Sequence, residues 1–119
     1  MKPKEHPIFN ESIRFIQERL GRTGLDPLQQ KILERLIHSS GDLGLSSSLR
    51  FTQDSCEIGL AALKAGAPIL TDTAMAAAAV ASMNQRTIQT VVRNLQEWSP
   101  VEAPLGSTRT ALGMRLAWE

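Results

Sequence analysis

The sequence predicts an α/β fold, with helices flanking a small, mostly parallel sheet. Three observations predict it. Segments with apolar residues at helical spacing alternate with short apolar or β-branched runs through the middle of the chain. Those runs, Leu49–Thr52, Ala67–Leu70 and Thr87–Val92, have strand length and are bounded by turn residues. Each is separated from the next by a helical segment, the connection that parallel strands need.

The first helix is expected from Phe9 or Asn10 to Leu20, with Asn10 as N-cap. Ile13, Ile16 and Leu20 share its apolar face, and Gly21 stops it. A second helix opens on Asp26-Pro27, an N-cap followed by a proline at the first helical position. Its stripe is Leu28, Ile32, Leu33 and Leu36, with Ile37 beside it, and His38 closes it before the polar turn Ser39-Ser40-Gly41-Asp42. Asp54 and Glu57 form a capping-box pattern at the start of a third helix, whose buried side is expected to be Ile58, Leu60, Ala61 and Leu63. Ala67-Pro68-Ile69-Leu70 reads as a buried parallel strand running into the polar turn Thr71-Asp72-Thr73. Asp72 or Thr73 can cap the next helix, Ala74 to Met83. Thr87 to Val92 is rich in β-branched residues and is a further strand candidate. Pro100 and Pro104 mark a loop, and a last helix begins near Ser107 or Thr108.

Composition excludes several functions. A chain of 119 residues suits one domain, and 42% hydrophobic with 21% charged residues is ordinary for a globular protein. Thirteen basic residues against twelve acidic ones give no reason to expect nucleic acid or an anionic membrane as partner. No apolar signal core opens the chain, and the alanine-rich stretch Ala74–Ala81 is too short to cross a bilayer. A cytoplasmic location is expected. Cys56 is the single cysteine and His6 and His38 are far apart, so no metal-ligand spacing occurs and no metal is expected. Cys56 is expected to be a buried, inert thiol, and Trp98 and Trp118 packing residues. No phosphate-cradling glycine motif is present.

His38 is the one well-placed acid–base group that titrates near neutrality, set at a helix C-terminus and followed by small residues. Its bland alternative is a histidine that caps its own helix. Asp72 lies at the C-terminal end of a predicted parallel strand, where ligands bind in open α/β sheets. Its alternative role is a helix cap.

Several segments together resemble the precorrin-8X methylmutases. His6-Pro7-Ile8 followed by Glu11-Ser12-Ile13-Arg14-Phe15-Ile16 is similar to an opening pattern of that family. Leu36-Ile37-His38-Ser39-Ser40-Gly41-Asp42 resembles its histidine segment, and Leu49-Arg50-Phe51 and Ala61–Gly66 follow at the expected separation. Ala67-Pro68-Ile69-Leu70-Thr71-Asp72-Thr73-Ala74-Met75 is the nearest match, and Gly106-Ser107-Thr108-Arg109-Thr110-Ala111 resembles the later Gly-x-Thr-Arg segment. The order and spacing of these pieces make the resemblance specific.

The resemblance implies a partial, Rossmann-like methylmutase fold and an isomerase of cobalamin biosynthesis. A methyl group of precorrin-8X, or of its cobalt form, would move from carbon 11 to carbon 12, giving hydrogenobyrinate or cobyrinate. It implies no added cofactor, a tetrapyrrole substrate and a homodimer. His38 would be the general acid/base, and Ser12, Arg14, Asp72, Thr108 and Arg109 would line the pocket. Arg14 and Arg109 would pair with substrate carboxylates, although a solvated helix face explains either arginine as well. Family members are longer and continue beyond the Thr-Arg helix, so this chain is expected to lack their C-terminal part. Residues 86–104 match only loosely, and Ala79-Val80-Ala81 stands where the family has a glycine followed by Ile/Val-Thr.

Overall fold

The computed structural model describes residues 5–119. Six helices and a two-stranded parallel sheet follow in the order α1 (Pro7–Leu20), α2 (Pro27–Ser40), α3 (Leu45–Ser48), α4 (Ser55–Lys64), β1 (Ile69–Thr71), α5 (Ala74–Arg86), β2 (Val92–Asn94), a 3-10 turn (Leu95–Glu97) and α6 (Arg109–Trp118). The α/β class read from the sequence is the class observed. The chain divides into two compact units, one ending at Ile58 and the other running Gly59–Glu119.

In the first unit α1 and α2 form an antiparallel helix pair. The predicted apolar faces meet there: Ile16, Leu33 and Ile37 are buried, and Ile13, Leu20, Leu25, Leu45 and Leu49 pack against them. The centre of the α2 stripe is Leu33–Ile37, one turn apart, while Leu36 is exposed. Each buried side chain of this kind contributes about 1.5–3 kcal/mol. Asp26 caps α2 as expected: its Oδ1 accepts from the N–H groups of Leu28 and Gln29, and the Gln29 side chain accepts from the Asp26 N–H, closing a capping box. Gly41 ends the helix in the left-handed region, φ 72°.

Several expectations fail in this stretch, among them the end of α2, which runs on to Ser40 instead of closing at His38. Asn10 is not the cap of α1; the helix begins three residues earlier at Pro7, where His6 Nδ1 accepts from the Ile8 N–H and proline supplies a pre-set φ. Leu49–Thr52 is not a strand. Helix α3 precedes it, and the Arg50 guanidinium binds the carbonyls of Ser47 and Leu49, so the segment is tied locally and has no strand to pair with. Asp54 does not close a capping box on α4. Its φ is 57°, whereas a capping residue is extended. The apolar side expected for α4 is open: Ile58 and Leu60 are exposed, and Leu63 is half-buried.

The second unit is built on the strand pair. Ile69 faces Val92, Leu70 faces Arg93 and Thr71 faces Asn94, with α5 as the crossover. Thr73 caps α5 by accepting from the Ala76 N–H, and Thr108 caps α6 by accepting from the Ala111 N–H. The strand expected at Thr87–Val92 begins instead at Val92. Asn84, buried, holds Thr90 with both ends of its amide, donating to the Thr90 carbonyl at 2.6 Å and accepting from its N–H at 3.0 Å. The Thr90 hydroxyl is in turn within reach of the carbonyls of Gly66 and Ala67. These local bonds consume the backbone that the β-branched pattern offered to the sheet. Leu95 is fully buried against α6, where Gly113 lets the helix approach: a Cβ there would collide with Leu95 and Ser99. Trp98 lies under the Arg93 guanidinium at 4.4 Å, but Trp118 is 86% exposed and packs on nothing. Cys56 is a free thiol of intermediate exposure rather than a buried one.

Candidate functional site

The last turn of α2 sets His38. The carbonyls at this helix end are served by other groups: the Ser40 hydroxyl donates to the Leu36 carbonyl at 2.8 Å, and the Gly41 N–H donates to the Ile37 carbonyl at 2.7 Å. His38 therefore does not cap its own helix. Its Nδ1 lies 2.7 Å from Ser12 Oγ on α1. One turn before Ser12, Phe9 presents its ring edge-on to the imidazole, with centroids 4.9 Å apart and planes at 79°. Phe9 and Ser12 are three residues apart and so share a helix face. Arg35 stacks on the same Phe9 ring at 4.2 Å and pairs with Glu5 at 2.7 Å.

This geometry orients the imidazole. A hydroxyl at Nδ1 fixes the ring plane and leaves Nε2 as the nitrogen available to a ligand. His38 as a whole is exposed. Arg14 does not share this face. It lies two residues beyond Ser12, roughly 200° around the helix axis, and is exposed.

The other expected residues lie in the second unit. Thr73 takes the capping role at α5, so the Asp72 carboxylate is not spent as a cap and is exposed just past the C-terminal end of β1. Its backbone carbonyl accepts from Gln96 Nε2 at 3.1 Å, which joins the ends of the two strands. Thr108 uses its hydroxyl as the α6 cap. Arg109 Nε donates to the Pro100 carbonyl at 2.6 Å, and the Arg109 carbonyl accepts from the Ser99 hydroxyl at 3.1 Å. The segment 95–99 thus connects to both Asp72 and Arg109. Gln96 and Phe9 were not singled out from the sequence. A phenylalanine one turn before Ser12 was a usable signal for the second; nothing local marks the first.

Among the described residues no group of three or more His, Cys, Asp or Glu side chains is placed to hold a metal ion. No helix among them is long and apolar enough to cross a membrane.

An α/β chain with an exposed serine–histidine pair on a helix end matches a known class of protein. The family model described as precorrin-8X methylmutase matches residues 7–119, and the chain belongs to that family, a methylmutase family of cobalamin biosynthesis. A cobalt-precorrin-8 methylmutase of Synechocystis is 29% identical over 96% of this chain and 58% of its own length. A precorrin-8X methylmutase of Pseudomonas aeruginosa is 30% identical over 90% of this chain and 52% of its own. The crystal structure of precorrin-8X methylmutase from Thermus thermophilus superposes with a TM-score of 0.77 at 31% identity, over 93% of this chain and 54% of that one. The chain therefore spans little more than half the length of these relatives.

Proposed function

We propose that this chain provides the acid–base part of a precorrin-8X methylmutase site, with His38 as general acid/base and Ser12 as the group that orients it. The observation that carries the reading is the 2.7 Å contact between Ser12 Oγ and His38 Nδ1, with His38 exposed. A protonated imidazole donating from Nε2 to the macrocycle draws electron density toward the point of protonation and favours migration of the methyl group from carbon 11 to carbon 12. The proton returns to Nε2 as the product forms. The reaction is an isomerisation, so no electron acceptor or donor is consumed. A positioned general acid of this kind contributes roughly 10²–10⁴-fold in rate.

Arg14 and Arg109 would meet peripheral carboxylates of the substrate, Arg109 through the guanidinium nitrogens that do not face Pro100. Asp72 and Thr108 would accept or donate at the macrocycle's edge. A cytoplasmic homodimer is the setting we assign to it.

One observation favours a second reading, in which the chain binds a corrinoid without turning it over. It spans only 52–58% of the relatives named above, so contacts made by the rest of those proteins are not supplied by these residues.

Titration with hydrogenobyrinate or cobyrinate, followed in the visible spectrum, tests the shared part of both readings. Binding with a spectral shift that His38→Ala weakens supports the acid–base reading. Binding of equal strength by wild type and His38→Ala supports the binding module. No binding by a folded chain removes both.

A further inference from the structure

Glu34 is 4% exposed, a carboxylate inside the helix pair where an apolar residue would pack without penalty. Its oxygens are served by two side-chain amides. Gln17 Nε2 of α1 donates at 3.0 and 3.2 Å, and Gln30 Nε2 donates at 3.1 Å. Gln30 is held in turn by the hydroxyl of Thr23, which accepts from the Leu25 N–H. The chain of bonds runs from the α1–α2 connection to the middle of both helices.

Position along the helices gives this network a consequence. Glu34 and His38 are four residues apart on α2, about 6 Å along the axis, and Gln17 and Ser12 are five apart on α1, about 7.5 Å. The helices are antiparallel, so the Gln17–Glu34 link and the Ser12–His38 link are successive rungs between them. Apolar side chains such as Leu33 and Ile37 tolerate sliding or rotation of one helix on the other. Two amides fixed on a buried carboxylate do not. A groove of about 320 Å³ lies on this side of the pair, lined by Gln17 and Glu34 themselves together with Phe9, Ile13, Lys31 and Arg35.

We infer that Glu34 is a positioning residue: by holding Gln17 it sets the register of α1 on α2 at which Ser12 meets His38. Its functional meaning rests on the methylmutase reading; its physical content does not. Replacing Glu34 alone leaves the Gln17 and Gln30 amides without their acceptor and costs stability as well, so alignment has to be read separately from stability.

The test reads the His38 ring directly and needs no tetrapyrrole. The Nδ1 nitrogen shift of His38 is measured by NMR in isotope-labelled chain, in alkaline solution where imidazole is neutral. Ser12→Ala should move that resonance. Glu34→Leu and Gln17→Ala, both folded by circular dichroism, should move it in the same direction. Adding Ser12→Ala to either should move it no further, as expected when two changes break one link. Glu34→Gln keeps an acceptor oxygen and should restore the wild-type shift. Gln17 is solvent-exposed, so Gln17→Ala tests the link even if Glu34→Leu fails to fold. A Gln17→Ala chain with the wild-type shift and the wild-type response to Ser12→Ala overturns the inference. Failure of tetrapyrrole binding with these shifts as described would overturn the functional reading alone.

Discussion

The two units of this chain are held together differently. In the first, buried Ile16, Leu33 and Ile37 form an apolar core, and polar bonds set how two helices lie on it. In the second, Leu95 is the one buried large apolar side chain among the described residues, and the fold depends on side chains bonding backbone: Asn84 to Thr90, Thr90 to Gly66 and Ala67, Ser99 to Arg109 and Arg109 to Pro100. Large apolar side chains meanwhile stand open there, including Met75, Val101, Leu105 and Trp118. The comparison teaches that the Ser12–His38 contact sits on the unit with the apolar core. The unit that presents Asp72 and Arg109 is shaped mainly by polar ties.

Substitutions sharpen this contrast. The largest effect is expected at Leu33→Ala, a loss of about 2–5 kcal/mol through lost burial and a cavity, seen in chemical denaturation and in faster amide exchange in α1 and α2. Gly113→Ala should cost about 1–3 kcal/mol, because its methyl group meets Leu95 and Ser99. Asn84→Ala should cost about 1–3 kcal/mol by leaving the Thr90 backbone groups without their partner, and amide exchange at Thr90 should rise first. Asp26→Ala removes the α2 cap and should cost about 1 kcal/mol. Gly59→Ala is the smallest and has the opposite sign: nothing lies within 4 Å of its Cβ, so a gain of about 0.4–1 kcal/mol in thermal denaturation is expected. Equal losses at Leu33 and Gly59 would break the comparison, since only the first site is packed.

Much of this was legible in the sequence where a single residue type carries the signal. Asp26-Pro27, Thr73 and Thr108 mark helix starts by local chemistry, and each is among the caps expected. The parallel strand expected as buried at Ala67–Leu70 is found two residues later, at Ile69–Thr71, with Ile69 and Leu70 only half-buried. What was missed depends on which particular partner a residue bonds, near or far in the chain, and residue type alone does not announce that. Leu49–Thr52 has strand-like alternation but no strand beside it. The β-branched run at Thr87–Val92 is diverted by Asn84, six residues before Thr90. Glu34 reads as a solvent-facing charge on an amphipathic helix, and only the position of Gln17 on the facing helix shows it to be internal. Of the candidate site, His38 and Ser12 were named through the family resemblance, but their contact was not foreseen, because it joins residues 26 apart.

The central claim is that the Ser12–His38 pair performs acid–base chemistry on a tetrapyrrole. It is tested most directly by incubating the chain with precorrin-8X and following the appearance of the hydrogenobyrinate spectrum. The account predicts conversion by the wild type, near-complete loss with His38→Ala and a partial loss with Ser12→Ala. Conversion by His38→Ala at the wild-type rate would contradict it.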